Sequence, residues 1–136
     1  MTVGILVVTH EQLGAQLVAI AKTILCTETT PVVCVSVPAN ISPQQLGKYA
    51  DLIRDSMIAQ DDGAGVLVLT DVYGATADNL ARYFAEHCDA RVISGVNLPM
   101  LLRVLNYSWQ TLPQLCDTAV AGAKSGIQQY AQQAKE

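Results

Sequence analysis

Apolar and polar positions along the chain fall into two alternating kinds of run. Residues 3–8 are Val, Ile and Leu apart from Gly4. The run is too short for a helix and lacks the two-residue alternation of a half-exposed strand, so it predicts a strand covered on both faces. Directly after it, Leu13, Leu17, Ile20, Ala21 and Ile24 recur at steps of three and four, the spacing of one helical face, and predict a helix over 13–25. A second β-branched run, 32–37, precedes Ile41-Ser42-Pro43, which predicts a helix capped by Ser42, with Pro43 at its first position, reaching residue 60. Gly63-Ala64-Gly65 then leads into a third buried strand, 66–70, a polar loop, 71–76, and a helix over 77–87. A short strand, 91–94, precedes Gly95-Val96-Asn97-Leu98-Pro99 and helices over 100–106 and 112–133, with the polar stretch 128–133 expected to fray.

Strands alternating with helices imply one α/β domain, 1–136, with a doubly wound, mostly parallel sheet of flavodoxin-like order 2-1-3-4. In such a sheet, ligands collect at the carboxyl ends of the strands, where the winding reverses. Three polar loops belong there: Thr9-His10, Asp71 to Thr76, and Gly95-Val96-Asn97. With the first and third strands as neighbours, His10 meets Asp71.

An imidazole attacks phosphorus through one ring nitrogen when the other is held in a fixed tautomer, and Asp71 is the natural holder. A transferred phosphoryl group also needs donors for its oxygens. The segment Tyr73-Gly74-Ala75-Thr76 at a helix start offers backbone N–H groups and a hydroxyl. Each residue also has a plainer reading. His10 suits a structural hydrogen bond, Asp71 a turn, and Thr76 a helix N-cap. His87 reads as a C-terminal helix residue favoured by the dipole, and Tyr73, Tyr107 and Trp109 as core or partner-facing rings.

Composition narrows the classes. A chain of 136 residues that is 51% hydrophobic can bury one core, and 15% charged residues with a net charge of -4 exclude the basic clusters of a nucleic-acid binder. The opening MTVGILVVTH has no basic segment before a short apolar run, so neither a signal peptide nor a membrane span is expected, and the chain is expected in the cytoplasm. Four scattered cysteines, Cys26, Cys34, Cys88 and Cys116, form no CxxC pair or zinc set and read as reduced packing residues. No metal or cofactor is implied.

Three segments together point further: Gly4 to His10, Val66 to Asn79, and Ser94-Gly95-Val96-Asn97-Leu98-Pro99-Met100-Leu101. In this order they resemble the IIA domain of the mannose family of the bacterial phosphoenolpyruvate-dependent sugar phosphotransferase system, over nearly the whole chain. The resemblance implies a homodimeric phosphocarrier whose histidine, matched by His10, takes a phosphoryl group from phospho-HPr and passes it to a IIB protein. Contact with the membrane would be indirect, through a IIC/IID permease. It matches Asp71 to the carboxylate that holds the histidine, and Tyr73, Gly74, Ala75 and Thr76 to the phosphate surroundings; Thr9, next to His10, is expected at the phosphate as well. It also implies a late strand, 91–94, pairing antiparallel with the second copy. The family's Asp-x-x-Gly-Gly-Ser-Pro-x-Asn pattern stands here as Asp71-Val72-Tyr73-Gly74-Ala75-Thr76-Ala77-Asp78-Asn79. Ala75 narrows the backbone angles, and Asp78 is expected to point outward, where its charge suits the helix dipole. With no IIB domain or linker following, transfer in trans is expected. Alternatives are a stand-alone regulatory phosphoacceptor, the phosphocarrier subunit of a dihydroxyacetone kinase, and a hydrolase with a phosphohistidine intermediate.

Overall fold

The two longest apolar runs form the middle of the sheet. The computed structural model describes residues 2–26 and 30–131. The elements are β1 (Gly4–His10), α1 (Leu13–Leu25), β2 (Val33–Val37), α2 (Pro43–Gln60), β3 (Val66–Thr70), α3 (Thr76–Ala85), β4 (Ala90–Ser94), α4 (Leu98–Asn106) and α5 (Leu112–Ser125). The sheet order is β2-β1-β3-β4 and every pairing is parallel.

The unbroken character of β1 and β3 has a direct cause, since successive side chains of a strand point to opposite faces. Ile5, Val7, Leu67 and Leu69 pack with Val18, Met100, Leu101 and Leu115 of α1, α4 and α5. Leu6, Val8, Val66 and Val68 pack on the other face with Ile53, Met57, Ala77 and Ala81 of α2 and α3. Each fully buried Leu or Ile contributes on the order of 1.5–3 kcal/mol, so both faces anchor the two central strands.

Boundaries depart from expectation where side chains settle them. β1 runs on through Thr9 and His10, which makes His10 the last residue of the strand. Helix α3 begins at Thr76 after an extended Ala75, so Thr76 occupies the first helical position and is not the N-cap. Helix α4 starts two residues earlier than expected, because the Asn97 side chain accepts from the Met100 N–H at 2.9 Å. Helix α5 stops at Ser125 and does not continue to 133; Ile127 and Tyr130 are exposed, so no buried stripe carries the helix onward. Positions 132 and 133 lie outside the described residues. Strand β4 takes the expected fourth place in the sheet and runs parallel to β3 within its own chain, since the α3 crossover returns it in the same sense. Tyr73 and Trp109 are exposed and do not belong to the core. Cys34, Cys88 and Cys116 are half-buried free thiols, and Cys26 is exposed.

Candidate functional site

The register of β1 on β3 pairs Val8 with Thr70, so the next residues of each strand leave the sheet side by side. One oxygen of Asp71 joins them. Its Oδ2 accepts the backbone N–H of His10 at 2.9 Å and lies 2.9 Å from His10 Nδ1, while Oδ1 accepts the Val72 N–H at 2.9 Å. An ionised carboxylate only accepts, so the proton of the neutral ring is assigned to Nδ1 and the lone pair to Nε2. The His10 side chain is 33% exposed and that of Asp71 8%. Burial pushes the Asp71 carboxyl upward, but the amide and ring of His10 outweigh it and hold the group below its ordinary value.

The turn that carries His10 is built from its own neighbours. Thr9 is buried, and its hydroxyl accepts the Gly14 N–H at 2.7 Å, tying the strand end to the start of α1. Its side chain therefore faces the helix and not the mouth of the sheet. Glu11 turns the chain with φ of 50°, donates its N–H to Val37 O at 2.8 Å and accepts the Ala39 N–H at 2.9 Å.

The loop after β3 is held from inside. Gly74 sits at φ of 84°, a left-handed conformation that favours glycine, and donates its N–H to Asp78 Oδ2 at 3.0 Å. The Ala75 N–H is taken by Val72 O at 3.2 Å, and Gly74 O accepts from Asn79 Nδ2 at 2.9 Å. The first α3 amide to find a helical carbonyl is that of Asn79, so the amides of the first turn precede the helical ladder. The Thr76 hydroxyl is without a hydrogen bond among the described residues. Tyr73 projects into solvent beneath the Arg82 guanidinium, which lies 4.7 Å from its ring centre.

Asp78, expected to face outward, is 1% exposed and turned inward. Its Oδ1 accepts the Thr70 hydroxyl at 2.6 Å, and those two hydrogen bonds, to Thr70 and Gly74, hold it there more firmly than the helix dipole would hold it in water. A carboxylate at the third position of a helix, four residues after a glycine, was the available signal. The third loop approaches through the backbone: Val96 N–H donates to Thr70 O at 2.9 Å, while Asn97 is occupied capping α4. Among the described residues no three His, Cys, Asp or Glu side chains gather as a metal would require.

Fold and site together define a doubly wound α/β domain with a carboxylate-held histidine where the winding reverses. The chain matches the EIIA-man family, described as the PTS system fructose IIA component, over residues 4–118, and it belongs to that family. It is thus a IIA component of the phosphotransferase-system kind. No curated protein sequence matches it. Its fold is similar to that of the mannose/sorbose-specific IIA subunit of the phosphotransferase system from Enterococcus faecalis, with a TM-score of 0.80, 19% identity and full coverage of both chains (100% and 100%). It is similar to the phosphotransferase system component EIIA from Streptococcus agalactiae, with a TM-score of 0.78, 22% identity, and 93% of this chain and 96% of that one covered. A sigma-54 interaction domain protein from Enterococcus faecalis shares the fold at a TM-score of 0.75 and 16% identity, with 92% and 93% covered. Among the described residues, no helix is long and apolar enough to cross a membrane.

Proposed function

We propose that the protein is a phosphocarrier of a sugar phosphotransferase system, with His10 as the residue that is phosphorylated. The supporting observation is the 2.9 Å contact of His10 Nδ1 with Asp71, which leaves Nε2 as the nitrogen with a free lone pair. Nε2 attacks the phosphorus of phospho-HPr. The new N–P bond forms as the bond from phosphorus to HPr breaks, and the leaving group takes the electron pair. Positive charge grows on the His10 ring during this step, and the adjacent Asp71 carboxylate stabilises it. In the second half the Nε2–P bond breaks, the phosphoryl group passes to an acceptor on a IIB protein, and the ring returns to its neutral form. Amides of the first turn of α3 and the Thr76 hydroxyl serve as donors to the phosphoryl oxygens.

The chain works in the cytoplasm as a homodimer in this reading, meeting the membrane only through a IIC/IID permease. Among the described residues the outer edge of β4 pairs with no further strand, and it is of the kind a second copy covers. Incubation with phosphoenolpyruvate, enzyme I and HPr, followed by intact mass, should show one acid-labile phosphoryl group; labelling that persists in His10→Ala overturns the assignment. A second reading, a regulator that reports phosphorylation state, is favoured by the fold shared with the sigma-54 interaction domain protein. Offering the phosphorylated protein a IIB protein and, separately, a dihydroxyacetone kinase subunit decides the acceptor. Refusal of both, with partner capture that differs between His10→Asp and His10→Ala, would favour the regulator.

A further inference from the structure

Asp78 takes no part in the contacts of His10, yet it is the most deeply buried acidic side chain near the site, at 1% exposure. Its two oxygens reach three parts of the site's framework. Oδ1 accepts the Thr70 hydroxyl at 2.6 Å, Oδ2 accepts the Gly74 N–H at 3.0 Å, and Oδ2 lies 3.7 Å from Arg82 Nη1. Thr70 and Gly74 bracket Asp71 on the chain. Arg82 in turn covers the ring of Tyr73, between them. The segment that presents the His10-holding carboxylate is therefore pinned before and after by Asp78 itself, and between them through its neighbour Arg82.

We infer that Asp78 is a positioning residue, which sets the placement of Asp71 against His10 by tying the end of β3 to the turn at Gly74. The inference rests on the phosphocarrier reading for its effect on transfer, but not for its effect on geometry. A carboxylate suits the task because the groups that approach it all donate, and its two acceptor oxygens satisfy the hydrogen bonds of Thr70 and Gly74. Asparagine can keep both ties, its oxygen accepting from Gly74 and its amide donating to the Thr70 hydroxyl oxygen. Alanine keeps neither, and releases the turn.

The test measures two things on Asp78→Ala and Asp78→Asn: the ring nitrogen shifts of His10 in long-range proton–nitrogen spectra without any phosphoryl donor, and the rate of phosphoryl uptake from phospho-HPr. In Asp78→Ala the two ring nitrogens should move toward tautomer-averaged shifts. Uptake should slow on the order of tenfold to a hundredfold, the scale of a small misplacement of a reacting group, chiefly in the maximal rate and not in the half-saturating phospho-HPr concentration. Asp78→Asn should restore the shifts and most of the rate. Unchanged ring shifts in Asp78→Ala, or an Asp78→Asn as impaired as Asp78→Ala, overturn the inference. Should Asp78→Ala fail to fold, Thr70→Val removes one tie at nearly constant shape and must move the same shifts in the same direction. If the wild type takes up no phosphoryl group, the phosphocarrier reading falls, while the ring shifts still decide whether Asp78 holds the pair in place.

Discussion

The two histidines of the chain stand at opposite kinds of place, and both bring Nδ1 to an oxygen. His10, at the end of β1, meets the Asp71 carboxylate at 2.9 Å; His87, just past α3, meets the Tyr83 carbonyl at 3.1 Å. A carbonyl fixes a tautomer. A carboxylate also stabilises positive charge on the ring, and here the same oxygen grips the backbone of the histidine it serves. The turn around His10 is bound by Thr9, Glu11 and Asp71, whereas His87 lies against the exposed Tyr83 ring, 5.2 Å between centres. The two histidines thus differ in the oxygen that meets Nδ1, a charged carboxylate for His10 and a neutral carbonyl for His87.

The contrast is broken most severely by exchanging roles. His10→Ala should abolish acid-labile labelling, and His87→Ala should leave both labelling and melting within about 0.5 kcal/mol of the parent; equal losses from the two would erase the distinction. Next, Asp71→Asn turns an amide NH2 toward at least one N–H that the carboxylate accepted, and should slow phosphoryl uptake by about a hundredfold. That substitution carries a pH signature. Because the folded-state pKa of Asp71 is depressed, its stabilisation is complete above the ordinary carboxylate value and is lost as pH falls through the lowered one. The stability gap between wild type and Asp71→Asn, read by urea unfolding, should therefore close in acid, and a gap that widens there contradicts the pairing. Smaller is Gly14→Ala: a Cβ at that position would lie 2.8 Å from Val7 Cγ1 and 2.9 Å from Thr9 Oγ1, so about 1–3 kcal/mol of stability should disappear in thermal melts. The least effect belongs to Thr76→Ala, which should raise the barrier to uptake by roughly 0.5–1.5 kcal/mol, the net value of one hydrogen bond, in single-turnover rates.

Much of this arrangement could be read from residue order. Unbroken runs at β1 and β3 meant strands buried on both faces, and buried parallel strands require crossover helices. That topology brought His10 and Asp71 together in expectation, and their contact follows from the Val8–Thr70 pairing. The family resemblance carried by the segments at 4–10, 66–79 and 94–101 agrees with the match over residues 4–118. What was illegible depends on where a side chain turns. Asp78 was expected in water because a first-turn acid ordinarily suits the dipole there. Its inward course is decided by the Thr70 hydroxyl and the Gly74 amide, which become its neighbours only after folding. Thr9 looked like part of the mouth of the sheet, yet strand alternation directs it to α1. The length of α5 was overestimated because Gln and Ala favour helices locally, while a helix end is set by where its buried face stops.

The double grip of Asp71 Oδ2 on the amide and the ring of His10 removes the ring's freedom to swivel. Nε2 consequently has a single direction of approach. On the phosphocarrier reading, the partner that delivers the phosphoryl group to that nitrogen and the one that removes it use the same doorway in turn, so the two visitors exclude one another. Exchange kinetics should show the parallel-line pattern of a shuttle that empties before it refills, with each visitor inhibiting competitively against the other.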